Sequence, residues 1–155
     1  MSSATHLGPW LLGTVKTTSP TLGQTRNLGA TIVTQSMAFT GSPLSKSVVI
    51  PAGSQILDFS FYTTTAVTAV TATVAVTVGS TATVAATDIS LAGMLALTVA
   101  GTTAAVGACS NVGTTDATVT GTIAGANAAT LVGTLVVTYV VRNSDGSIAP
   151  TSYTA

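Results

Sequence analysis

Charged side chains are scarce in this chain. Its 155 residues carry four Lys or Arg, four Asp and no Glu, for a formal net charge of zero. Charge therefore makes up 5% of the residues, against roughly 25% in an ordinary globular domain. A folded monomer of this size exposes on the order of 7,000 Å², which leaves about 900 Å² of surface per charge. The rest of that surface falls to Thr, Ser, Ala and Gly, or to a partner. Small soluble domains usually hold a net charge of roughly 2 to 8 against association, so zero charge points to a chain built to live inside an assembly. Nucleic acid and anionic lipid both demand concentrated positive charge. Lys16, Arg26, Lys46 and Arg142 are scattered, which argues against either as a main partner.

Other absences narrow the class further. Cys109 is the only cysteine, which rules out an intrachain disulfide and fits synthesis in a reducing cytosol. The longest apolar stretch, 89–101, is interrupted by Ser90 and Thr98 and falls short of the roughly 20 residues of a membrane-spanning helix. No basic flank followed by an apolar core opens the chain, so no secretory signal is expected. Disorder is disfavoured as well, because 46% of the residues are hydrophobic and the mean hydropathy is +0.65, whereas disordered chains combine low hydrophobicity with high net charge.

The residues that usually carry chemistry are thinly spread. General acid and base catalysis draws on paired carboxylates or a histidine beside a partner. Asp58, Asp88, Asp116 and Asp145 each sit near a turn or strand end and read as solvated or turn-capping carboxylates. His6 stands alone, and one His, one Cys and four dispersed Asp are too few for a clustered metal site or a triad. Cys109, in Gly-Ala-Cys-Ser-Asn-Val-Gly, reads as a small buried or loop residue rather than a nucleophile. The glycines match neither a phosphate-binding loop nor a dinucleotide fingerprint. The expectation is a protein that is not an enzyme, with no cofactor, metal or small-molecule substrate.

What is present is β-structure. In 70–78, Val70, Ala72, Val74, Val76 and Val78 alternate with Thr71, Thr73, Ala75 and Thr77, the period of two that marks a half-buried strand. The same alternation runs through 116–123, with Thr118, Thr120 and Thr122 opposite Ala117, Val119 and Ile123. In 131–141 both faces are apolar, which predicts a central strand or one at a subunit contact. Leu57, Phe59 and Phe61 alternate with Asp58, Ser60 and Tyr62, and 32–39 places Val33, Met37 and Phe39 on one side. A further strand is expected at 10–17. Turn residues at Gly41-Ser42-Pro43, Pro51-Ala52-Gly53, Gly79-Ser80, Gly113 and Gly125-Ala126-Asn127 separate these runs every 8 to 15 residues or so. The pattern predicts an antiparallel, jelly-roll-like β-sandwich of about seven to nine strands in a single domain, 1–155. Within it, 1–42 is a candidate N-terminal arm or hairpin and 146–155 a C-terminal tail. The stretch 85–98 is read as a strand on the alternation of Leu95, Leu97 and Val99, against a short helix capped by Asp88.

Large side chains in unusual places are the candidate interface residues. Trp10, Leu11 and Leu12 lie near a terminus, and Tyr153 stands in a small, polar tail. Each either folds back into the core or anchors a subunit contact, where Trp and Tyr are enriched.

The segment 49–59, Val-Ile-Pro-Ala-Gly-Ser-Gln-Ile-Leu-Asp-Phe, resembles one common in the capsid cement, or decoration, proteins of tailed bacteriophages. The resemblance runs through Thr63-Thr64-Thr65-Ala66 into the Val-rich strand, and returns at 133–141. The leading Leu7-Gly8-Pro9 and Arg26-Asn27-Leu28-Gly29 are similar to the start of some members. The resemblance implies a β-sandwich on the exterior of a virion, made in the host cytoplasm and assembled as a dimer or trimer that clamps neighbouring major capsid subunits. It supplies no catalytic residue. Alternatives are another assembled subunit of a tail, pilus or surface layer, or an ice-binding protein displaying its Thr-x-Thr units.

Overall fold

The computed structural model describes residues 14–16, 25–27, 32–67, 72–126 and 128–141. A short antiparallel pair comes first, β1 (Thr14–Lys16) with β2 (Thr25–Asn27), in a two-stranded sheet of its own. The sandwich follows: β3 (Ile32–Thr40), β4 (Ser45–Ile50), β5 (Gln55–Thr65), β6 (Thr73–Val78), β7 (Thr81–Asp88), β8 (Gly93–Leu97), helix α1 (Thr103–Ser110), β9 (Ala117–Ala124) and β10 (Val132–Val140). β3 lies within 1–42 yet belongs to the sandwich, so the segment free to form a separate hairpin ends before Ile32.

The sandwich is two four-stranded antiparallel sheets, ordered β3-β10-β5-β8 and β4-β9-β6-β7. The pairs β3 with β10, β4 with β9, β5 with β8 and β6 with β7 are those of one long hairpin rolled on itself. Contacts of β10 with β5 and of β6 with β9 complete the sheets. Eight strands in this order form a jelly roll.

Alternation of β-branched and polar residues sets which face turns inward. Val74, Val76 and Val78 of β6 are buried, as are Val119 and Ile123 of β9 and Leu135, Val137 and Tyr139 of β10. They meet Met37, Phe39, Ile50, Phe59, Phe61 and Leu131 in one core, where the rings of Phe39 and Phe61 lie 6.1 Å apart and tilted. β10 lies in the middle of its sheet, between β3 and β5, with Leu135, Val137 and Tyr139 turned into the core and Val132, Thr134, Val136 and Thr138 half-buried on the outer face. Gly53 takes φ of +73° in the Pro-Ala-Gly turn, a conformation open to glycine at little cost. The loop is tied to the chain before β9: Ala52 donates its N–H to the Asp116 carboxylate, and Gly53 donates to the Gly113 carbonyl.

Two local expectations need correction. Leu57 does not share the inward face of Phe59 and Phe61. A bulge places Asp58 opposite Thr138 and Ile56 opposite Tyr139, so Leu57 is the extra residue and is 48% exposed while Ile56 is buried. The second concerns the reading of the chain as strands and turns throughout, because Thr103–Ser110 is helical. Thr102 caps it by accepting from the Ala105 N–H, and only Ala105 and Cys109 are buried, one turn apart. No helix begins at Ile89. Asp88 instead accepts both the N–H and the O–H of Ser90, closing a tight turn between β7 and β8.

Candidate functional site

The register of each sheet gives the composition of its outer face. On the β4-β9-β6-β7 sheet, residues in adjacent strands form cross-strand rows: Ser45 with Thr122 and Ala75, Ser47 with Thr120, Thr77 and Ala82, and Val49 with Thr118. The Ser45 and Thr122 hydroxyls are 3.2 Å apart. On the β3-β10-β5-β8 sheet the rows are Ala38, Thr134, Tyr62 and Met94; Ser36, Val136, Ser60 and Ala96; and Thr34, Thr138 and Asp58. Adjacent strands lie about 4.8 Å apart and successive outward residues of one strand roughly 6.7 Å apart. Both faces are thus closely spaced arrays of hydroxyl and methyl groups.

Charge is nearly excluded from these arrays. Among the described sandwich residues, Asp58 is the one charged side chain standing within a sheet face; it lies inside β5, opposite Thr138, and not at the turn or strand end expected of it. Asp88 ends β7, where the Ser90 hydroxyl and N–H hold its carboxyl below its ordinary value. Asp116 precedes β9 and binds the Pro-Ala-Gly turn. Lys46 turns to the edge of the sandwich, where its ammonium donates to the Ala38 carbonyl and sits 5.8 Å from the centre of the Phe39 ring.

The strand edges are treated unequally. At one side, where β3 and β4 end their sheets, Gln35 donates to the Val49 carbonyl at 2.9 Å and also to the Tyr139 hydroxyl. Together with Lys46 this joins the two edges. At the other side, β7 departs from regular pairing with β6 at two points. Its Thr83 carbonyl accepts from Ala100 and its Ala85 carbonyl from the Thr87 hydroxyl, and α1 packs against it. Among the described residues, β8 pairs with β5 alone. Beside it lies a hollow of about 430 Å³ lined by Thr63, Asp88, Ile89, Leu91, Met94 and Leu95. Leu91 is 84% and Met94 78% exposed, with Tyr62 half exposed next to them.

Buried polar groups inside are mostly satisfied: Thr63 donates its hydroxyl to the Ile89 carbonyl and Thr83 to the Val76 carbonyl, each at 3.0 Å. Cys109 is buried on α1, which raises its thiol pKa. No three His, Cys, Asp or Glu side chains come together among the described residues, and none of the helices described is long and apolar enough to cross a membrane. The interface candidates Trp10, Leu11, Leu12 and Tyr153 lie outside the described residues, as do His6 and Asp145. The open β8 edge and its apolar surroundings escaped sequence reasoning, because an edge is a property of strand order. Comparison with protein-family models, curated proteins and solved structures finds no match to this chain.

Proposed function

We propose that the chain is a structural virion protein that binds the outside of a phage capsid and cements neighbouring major capsid subunits. The observation that carries this reading is the pair of outer faces, in which Asp58 is the one charge among rows of Thr, Ser, Ala and Val with Tyr62 and Met94. Such surfaces can be covered by another protein without stripping water from charges, which is the costly part of burying a polar face. The likeness of 49–59 and 133–141 to capsid cement proteins supplies the kind of partner. Jelly rolls serve many functions, so the topology alone does not choose among them. Contacts of about 800 Å² per partner are standard for specific association, and repetition over a shell adds avidity to each. The test is co-sedimentation with purified, undecorated capsids built from the major capsid protein encoded alongside this chain. Saturable binding supports the reading, and protein left wholly in the supernatant refutes it.

A second reading rests on one observation. Thr118, Thr120 and Thr122 share the outer face of β9, with Thr120 in a row with Ser47 and Thr77 and Thr122 in a row with Ser45, an array suited to ordered water and hence to ice. Thermal hysteresis in a freezing solution of the protein is the measurement that separates the two.

A further inference from the structure

We infer that β8 is a pairing edge for a second copy of this chain, joining two sandwiches through a continuous eight-stranded sheet. Exposed sheet edges are templates for another strand, and proteins guard them with charges, bulges or covering segments. Three of the four sandwich edges are guarded in that way. Lys46 and Gln35 occupy carbonyls of β3 and β4, while bulges, Ala100, Thr87 and α1 protect β7. Among the described residues nothing comparable meets β8, and its sequence, Gly-Met-Leu-Ala-Leu, has no charge and no proline.

Self-complementarity argues for a second copy over a foreign strand. A two-fold interface sets each residue against its own surface. Antiparallel pairing about Leu95 puts Gly93 opposite Leu97 and Met94 opposite Ala96, small against large at both ends, with no like charges facing. The net charge of zero also removes the repulsion that keeps identical domains apart. Pairing brings Met94, Leu91 and Tyr62 of both copies into one shared, shielded strip, and it extends the charge-poor outer face across the pair. The inference goes beyond capsid binding and does not depend on it.

The test is the mass of the full-length protein in solution at micromolar concentration. The wild type is expected at twice the 15.1 kDa chain mass. The double substitution Leu91→Lys and Met94→Lys, at two exposed positions, installs the missing guard and is expected to halve that mass. Val49→Lys, exposed on the other sheet, is expected to leave it unchanged. A second variant, Leu95→Cys with Cys109→Ala, is expected to cross-link between chains on mild oxidation, because directly opposed residues have Cα atoms about 4.5 to 5.5 Å apart, within disulfide reach. A monomeric wild type, a dimer indifferent to both lysines, or a dimer without the cross-link would each overturn the inference. If the pairing is found and capsids are not bound, the capsid reading alone falls.

Discussion

Gly133 of β10 lies directly against the ring of Phe61 of β5, so closely that a β-carbon at position 133 would overlap two ring atoms and the Tyr62 carbonyl. The glycine is thus part of the packing: its missing side chain is the space the Phe61 ring fills. Phe61 in turn packs on Phe39, so the fit links three strands of one sheet.

Gly133→Ala is accordingly expected to destabilise the fold by about 1 to 3 kcal/mol, the usual cost of overpacking a core. Gly121→Ala is expected to cost less, since the atom it would strike is a terminal methyl of the Leu135 side chain, whereas at position 133 it is a ring and a backbone carbonyl. Urea unfolding of the two variants ranks them, and an equal or reversed order contradicts the packing described.

The fold was legible where side chains alternate without interruption. The Val positions of β6, the Val and Ile of β9 and the doubled apolar faces of β10 announced both strand and burial. The phase error at Leu57 has a definite cause, since a bulge is set by the partner strand and leaves no mark on the bulged sequence itself. α1 was hidden for a different reason. A helix that buries only Ala105 and Cys109 makes almost no apolar stripe, and Val106-Gly107 reads against it; Thr102 followed by Thr103 and the pair Ala104-Ala105 was the available signal. Neither the edge position of β8 nor its lack of a guard among the described residues was legible, because both depend on which strands lie side by side.

Cys109 offers a probe of native-state opening. Its buried thiol is expected to react with a thiol reagent only slowly in the native protein and at once in denaturant, as thiol reactivity requires an accessible thiolate. Burial raises its pKa in the folded state, so the unfolded chain ionises first. This contribution to stability is intact below the ordinary thiol pKa and is lost as the pH climbs from there through the raised value. Fast labelling of the native protein at neutral pH would contradict the buried position.

Asp88 works in the opposite direction. The Ser90 hydroxyl and N–H lower its pKa, so its contribution is present above the ordinary carboxyl value and lost as pH falls through the depressed one. Ser90→Ala removes the hydroxyl and is expected to move the Asp88 titration upward, read by NMR of the carboxyl carbon. The same variant deprives the Ala72 N–H of its acceptor. An unmoved titration would show that the turn does not hold the carboxylate as described.

Thr83→Val tests a buried hydroxyl. Its bond to the Val76 carbonyl spans the β6 and β7 hairpin at 3.0 Å, and its loss is expected to cost about 1 kcal/mol, measured as a lower urea midpoint with an unchanged slope.

The central claim is that charge-poor sheet faces hold this protein to a capsid shell. The most direct measurement is the thermal disruption of undecorated capsids titrated with the purified chain. The account predicts a transition that rises with added protein and stops rising at a fixed ratio of chain to capsid subunit, and that Thr120→Lys or Ser60→Lys weakens the effect on whichever face meets the shell. A transition that stays put at every ratio would contradict it.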